Sequence, residues 1–385
     1  MSVATTAPPR ARLRAWWTGS QSMRTPNSVL LVLGVAVLNV IGLVMVLSAS
    51  SIRSIDDKGD PWWFFQRQVM WTVLGIAGFV VASRLDYRRW RRFTAPLLIF
   101  AIGLLVIVLI PGIGIKVDGA RRWLGYGPLT VQPSEIAKLA LLIFSADVLA
   151  RRETEVGDWK KALRPILLVL FTVSVLMMLE PDLASLMVIG VIVIATLVVG
   201  GVRVRHLSAI ALFAIVGVTT FAFMVPWRRA RMFSFLDPAS DPTNTGYQVT
   251  QSLIAIVRGG WSGVGLGAGR AKWRFLPAAH TDFIFAVIGE ELGLIGCMLV
   301  VGLFALLAVI GIRTAARAPD RFGMILAAGA TAWVLGQAVL NLSAVVGVLP
   351  VTGVPLPFVS FGGTALISTM VGAGVLVNVA RQGRS

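Results

Sequence analysis

The chain has 385 residues, of which 56% are hydrophobic and only 14% charged, with a formal net charge of +17. Several continuous apolar runs reach about 20 residues, enough for a bilayer core of roughly 30 Å, so the chain reads as an all-α polytopic membrane protein and not as a β-barrel, whose strands would alternate. Cys297 is the one cysteine and His206 and His280 are the two histidines, which excludes an intramolecular disulfide and a zinc cluster.

Residues 1–27 are polar and basic (Arg10, Arg12, Arg14, Arg24) and read as a disordered cytoplasmic segment. Residues 28–380 read as one transmembrane domain. The first apolar run, 28–47, is too long for the core of a secretory signal and is expected to be retained as a first helix. Nine further runs follow at 66–83, 93–110, 134–150, 165–179, 183–199, 207–225, 283–312, 322–346 and 360–379. Ten spans with a cytoplasmic N-terminus place both termini inside. Every inner connection is then basic: Arg84 to Arg92, Arg151 to Arg164, Arg203 and Arg205, Arg313 to Arg321, and Arg381 with Arg384. With the four N-terminal arginines these hold 21 of the 35 Lys and Arg, as the positive-inside rule requires. The net charge is therefore topology, and nucleic acid is not an expected partner.

Other cations fall outside. Lys116, Arg121 and Arg122 lie between spans three and four. Arg228, Arg229, Arg231, Arg258, Arg270, Lys272 and Arg274 lie in an outer loop at about 226–282. They suit an anionic partner such as a phosphate or diphosphate, or lipid headgroups. Within that loop Asp237 to Thr245 is turn chemistry, and Tyr247 to Val257 reads as an amphipathic helix carrying Gln248, Gln251, Ser252 and Ala255. Gly259 to Gly269 is glycine-rich, yet it lacks the strand, helix and lysine of a nucleotide loop. The last outer loop, Gly347 to Gly363, carries Pro350, Pro355, Pro357 and a Gly362-Gly363 pair, and is expected to be a broken segment lining a cavity.

Carboxylates near lipid are costly and need a reason. Asp282, where the outer loop meets span eight, reads either as a general base at a cavity rim or as a helix cap. Glu290 is expected to be buried and paired about 12 Å deeper, with Glu291 on the opposite side of the helix. Glu135 and Lys138 share a helix face and can form an intramembrane ion pair, structural or part of a substrate site. Glu180 and Asp182 could coordinate a cation or cap helices. Trp123 reads as an interfacial anchor or a platform for a sugar.

The segments GARRWL (119–124), QPSE with its lysine (132–138), EPDL (180–183), TGYQ with QS (245–252), LPAAHTDFIFAVIGEELG (276–293) and GVLPVTGVPLPFVSFGG (347–363) together resemble the SEDS family of peptidoglycan polymerases, the FtsW/RodA group. The GVGLG run with its lysine and the VIGEELG ending are more similar to FtsW than to RodA. Ala278-Ala279, where many members carry an acidic residue, and EPDL, where division members carry QPDL, depart from the pattern.

The resemblance implies a glycosyltransferase that polymerises lipid II on the outer face of a bacterial cytoplasmic membrane during cell division. Asp282 matches the family's essential carboxylate and takes the base role. Arg121, Arg122, Lys138, Arg270 and Lys272 are candidates for the diphosphate, Glu135 and Glu290 for orienting, and Gln251, Ser252 and His280 for lining the substrate groove. No metal ligand set stands out; a divalent cation, Mg or Mn, is compatible with the chemistry. Expected partners are lipid II, a class B penicillin-binding protein packing on spans eight and nine near Gly293, Gly296 and Gly302, and other division or elongation proteins. The competing expectations are a lipid II flippase or transporter, a polymerase of cell elongation, and a scaffold that recruits division proteins.

Overall fold

A computed structural model describes residues 25–117, 119–126, 129–155, 158–224 and 245–383. The helices are α1 (Pro26–Lys58), α2 (Trp63–Arg84), α3 (Thr94–Leu109), α4 (Pro133–Arg151), α5 (Arg164–Leu179), α6 (Leu183–Val199), α7 (Val204–Met224), α8 (Thr245–Gly259), α9 (Ile284–Ala316), α10 (Arg321–Val345) and α11 (Gly363–Gln382). Each of the ten apolar runs holds one helix, with α8 as the addition between α7 and α9. Seven helical segments are long and apolar enough to cross a membrane, and α6 and α7 provide shorter apolar helices. The expected N-terminal disorder, Arg228, Arg229, Arg231 and the turn at 237–244 lie outside the described residues.

Local chemistry sets the helix ends. Thr25 caps α1 by accepting from Ser28 N, Pro26 occupies the first turn, and Gly59 ends the helix at φ 71°. The helix runs past Leu47 through Arg53 and Asp57, beyond the apolar stretch, because nothing between Ser48 and Lys58 stops it. Asp182 caps α6 through Ser185 N, and Asp320 caps α10 through Gly323 N.

The bundle is tight where small residues allow it. α11 lies along α2, where a Cβ on Gly374 would stand 2.6 Å from Phe79 O, so backbone meets backbone. α9 packs on α1, α8 and α10, and α10 on α6. Of the glycines expected to receive a partner helix, Gly293 is covered by Trp261 and Gly296 by Leu292 of its own helix; Gly302 has open space beside it.

Two features differ from a purely helical expectation. Between α3 and α4 the chain forms a small antiparallel sheet of β1 (Ile115–Val117), β2 (Ala120–Tyr126) and β3 (Leu129–Val131), with Lys116 opposite Arg121 and Leu124 opposite Val131. Successive strand residues face opposite ways, so Arg121 and Arg122 project from opposite faces. Second, α9 is broken at Gly293 (φ 68°, ψ −165°), and the glycine-rich segment fills the break. Val264 N and Gly265 N donate to Glu290 O and Glu291 O at 2.9 and 3.1 Å, while Leu294 N and Ile295 N donate to Gly260 O and Trp261 O at 2.9 and 3.2 Å. The interruption thus leaves no backbone group unpaired at these positions, as low-dielectric surroundings demand.

The last outer loop folds inward. Val351, Val354, Leu356, Phe358, Val359 and Ser360 are buried. Gly42 of α1 makes room for it: a Cβ there would meet Phe358 O at 2.6 Å. Polar side chains in α10 hold its carbonyls, Gln337 Nε2 to Pro355 O at 3.0 Å and Asn341 Nδ2 to Val354 O at 2.7 Å.

At the opposite end of the bundle the basic connections meet. Arg88 pairs with Asp320 at 2.7 Å, Arg91 and Arg151 share Asp147 at 2.8 and 2.9 Å, and Arg321 pairs with Glu153 at 2.9 Å.

Candidate functional site

The segment carrying Asp282 is held by its backbone. His280 O accepts from Phe361 N at 3.0 Å, Thr281 O from Ser360 Oγ at 2.6 Å, and Asp282 O from Asn341 Nδ2 at 2.8 Å. Ser360 Oγ also accepts from Leu356 N at 2.8 Å, which fixes the hydroxyl. Three successive carbonyls are thus pinned by the inward-folded loop and α10. The Asp282 side chain is half-buried and lies beside Gly353, where a Cβ would stand 3.6 Å from Asp282 Oδ2. The cap position of α9 is Phe283.

His280 is buried against Phe64 and Phe361, with ring centroids 4.7 and 5.7 Å away. Burial, then the Arg53 charge, pushes its pKa down to about 4, so the imidazole is neutral at pH 7. It contributes no cation for a diphosphate. His280 also lines a cavity of about 330 Å³ with Ala49, Arg53, Asp57, Lys272 and the Leu276 to Ala279 segment.

Glu290 and Glu291 grip the glycine-rich loop together. Glu290 accepts from Arg270 N and Ala271 N at 2.9 Å each, with Arg258 Nη1 at 3.7 Å. Glu291 accepts from Gly267 N at 3.0 Å and from Ser48 Oγ of α1 at 2.7 Å, with Lys272 Nζ at 3.9 Å. Gly269 sits between them, where a Cβ would stand 2.9 Å from an oxygen of each carboxylate. Glu291 was expected on the opposite side of the helix from Glu290, but that does not separate their partners: the loop wraps the break and reaches both carboxylates. Glu290 is buried and paired as expected, but with loop amides, so its carboxylate is committed to the protein. Lys272 Nζ donates to Gly267 O, and Arg270 is exposed.

A third cluster joins three of the quoted motifs. Asp182 accepts from Gln132 Nε2 and Ser134 Oγ at 3.0 Å each, and from Ser185 N at 3.1 Å. Arg122 is clamped by Glu180 O at 3.1 Å and Pro181 O at 2.5 Å. Lys138 and Glu135 form a buried pair at 2.6 Å, and Ser368 Oγ donates to Glu135 at 2.8 Å. Lys138 is buried with this pair, away from solvent. Glu180 is fully buried, and neither carboxyl oxygen has a partner among the described residues. Burial, then the Asp182 charge, pushes its pKa up to about 8, against the Arg122 charge.

Ser252 is buried and its hydroxyl donates to Val345 O at 2.7 Å, which ties α8 to the end of α10, while Gln251 is half-buried. Arg121 is half-buried in β2. Among the described residues no three His, Cys, Asp or Glu side chains cluster to hold a metal.

Sequence reasoning missed Arg53, Asp57, Ser48, Gln337, Asn341 and Ser360. The amides had a signal: Gln337 and Asn341 are one helical turn apart in an apolar run, and so share a face that needs polar partners.

A family model described as a cell cycle protein, for FtsW, RodA and SpoVE, matches residues 29–385. A probable peptidoglycan glycosyltransferase FtsW of Geobacter metallireducens is 40% identical over 351 residues, 91% of this chain and 93% of that one. A solved chain described under structural coordination of polymerization and crosslinking by a peptidoglycan synthase complex superposes with a TM-score of 0.75 at 32% identity, covering 91% of this chain and 96% of that one. The rod shape determining protein RodA of Thermus thermophilus does so with a TM-score of 0.68 at 29% identity, covering 92% and 97%.

Proposed function

The chain belongs to the cell-cycle protein family of FtsW, RodA and SpoVE, and from that membership we infer that it is a peptidoglycan glycosyltransferase that polymerises lipid II during cell division. The division role rests on the FtsW name of the relative at 40% identity, against 29% for the solved RodA. The ten helices would cross the cytoplasmic membrane with both termini inside. The ion-paired basic connections at one end of the bundle support that orientation.

The observation that carries the reaction is Asp282, half-buried on a segment whose carbonyls at 280, 281 and 282 are all bonded. A carboxylate so held can take the proton from an acceptor sugar hydroxyl with little reorganisation. The hydroxyl oxygen forms a bond to the donor's anomeric carbon, and the bond from that carbon to the lipid diphosphate breaks. The leaving diphosphate needs positive charge. Among the described residues Arg121, the backbone-clamped Arg122 and the exposed Arg270 make no ion pair with a carboxylate and could supply it. Glu290 and Glu291 act at one remove, by shaping the loop.

The partner would be a class B penicillin-binding protein, whose membrane helix would pack on the exposed face of α9 at Leu294, Ile295, Met298 and Leu299 and the open Gly302.

The test is polymerisation of lipid II by the purified full chain, with and without its cognate transpeptidase. Asp282→Asn keeps the shape and removes the base, and should lower the rate by about 10²- to 10⁴-fold. Full activity in that variant would refute the assignment. Translocation of lipid II by the wild type with no glycan formed would replace polymerase by transporter.

A further inference from the structure

The cavity beside His280 has one wall that the reaction above does not use. Arg53 and Asp57 lie one turn apart on the part of α1 that outruns its apolar stretch, and pair through Arg53 Nε and Asp57 Oδ2 at 3.1 Å. Their side chains are 48% and 41% exposed. An exposed pair of this spacing stabilises a helix by only about 0.3–0.5 kcal/mol, so its worth is not structural. The single bond uses one of five guanidinium N–H donors and one of two carboxylate oxygens.

The charges around the cavity are balanced. Arg53 faces Asp57, and Lys272 lies 3.9 Å from Glu291 and donates to Gly267 O. A diphosphate here would have to break a pair. The rest of the lining is the neutral His280 ring and the apolar Ala49, Leu276, Pro277, Ala278 and Ala279. The volume of about 330 Å³ lies at the lower end of small-molecule sites, which run from about 300 to 1,000 Å³. A planar Arg–Asp edge facing a shallow apolar floor in a charge-neutral hollow matches a neutral ligand with many hydroxyls and one flat C–H face.

We propose that this cavity is a saccharide subsite, in which Arg53 and Asp57 hydrogen-bond hydroxyl or acetamido groups of a substrate sugar laid over Ala49 and the Leu276 to Ala279 segment. The proposal rests on the polymerase reading, since it places a sugar of the same substrate against the segment that leads into Asp282. The pair acts on binding and takes no proton in the reaction.

The experiment uses the full chain in nanodiscs with lipid II as probe. It measures both the binding constant and the initial rates, for wild type, Arg53→Gln and Asp57→Asn. Each variant should raise Kd and KM by about ten- to hundredfold, with kcat falling far less. Inhibition by inorganic diphosphate should not change. Ala49→Leu, which fills the hollow without touching a charge, should raise KM likewise, and covers the case in which a charge variant fails to fold. Unchanged Kd and KM in folded variants would overturn the subsite and leave the polymerase standing. Weakened diphosphate inhibition would overturn it in favour of an anion site. A wild type that binds lipid II through this pair yet forms no glycan would leave the subsite standing and sink the polymerase.

Discussion

Glu291 of α9 accepts the hydroxyl of Ser48 of α1 at 2.7 Å, and both lie beside the break at Gly293. The same carboxylate takes Gly267 N, so one buried anion ties the first helix, the broken helix and the glycine-rich loop. Bonds to a charged acceptor are the stronger kind. Ser48→Ala should cost about 1–3 kcal/mol, read as a lower melting temperature in detergent. Glu291→Leu, which strands Gly267 N and Ser48 together, should cost more. Equal melting temperatures would remove Glu291 as an anchor.

Asn341 holds Asp282 O and Val354 O with one amide nitrogen, at 2.8 and 2.7 Å. Asn341→Leu keeps the branched shape and strands both carbonyls, at about 1–3 kcal/mol for a buried one. The segment that carries Asp282 should then loosen. The expected result is a fall in kcat larger than any change in KM, with the chain still folded by size-exclusion and thermal melting.

Gly353 faces the Asp282 carboxylate at φ 77°, where a side chain is strained, and a Cβ would stand 3.6 Å from Oδ2. Gly353→Ala should cost about 1 kcal/mol of backbone strain, and relief of that strain should shift the loop beside the carboxylate, although the methyl itself makes only an ordinary contact with it. Polymerisation should drop while lipid II binding is kept. A fully active variant would show that the position of Asp282 tolerates crowding.

The helices were legible because lipid writes them as uninterrupted apolar runs, and each run holds one. What escaped was structure made by partners far apart in sequence. The outer turns of α1 carry Ser48, Arg53 and Asp57 in a polar stretch that looks like a loop, since no apolar period marks it. The pairing of Gly260, Trp261, Val264 and Gly265 with the break at Gly293 exists only once the loop folds back. The same holds for Glu291, whose helical spacing places it away from Glu290 until the loop surrounds both. The sheet that carries Arg121 and Arg122 has strands of three to seven residues, too short to show a period. The place of Asp282 just before α9 was legible from the sequence, whereas the three pinned carbonyls were not, because their donors sit on α10 and the last loop.

The Glu135–Lys138 pair is buried on both sides, at 2.6 Å. Removing one partner leaves an uncompensated charge, and about 3–5 kcal/mol is the usual cost. Lys138→Met and Glu135→Leu should each destabilise strongly, while the double variant should recover most of the loss. If Lys138 also served the diphosphate, the double variant would fold yet stay inactive. Thermal melting and lipid II turnover on the same three proteins separate the two roles.

Glu180 is buried with neither oxygen bonded among the described residues, and burial, then Asp182, raises its pKa to about 8. The folded chain therefore holds the proton more tightly than the unfolded one, whose carboxyl titrates near 4.5. Between those values the folded state binds more protons, so stability falls as pH rises. The contribution is whole below about pH 4.5 and gone once pH passes about 8. Glu180→Gln keeps the shape of the neutral acid and cannot ionise. It should match the wild type at pH 5 and exceed it at pH 9, with the gap opening across that interval in melting curves. Ionised Glu180 would also sit beside Asp182 and under the clamp that positions Arg122, so polymerisation by the wild type should fall on the alkaline side while the Gln variant holds its rate. A wild type whose melting temperature rises from pH 5 to pH 9 relative to Glu180→Gln would show that this carboxyl is ionised and paired in the folded chain.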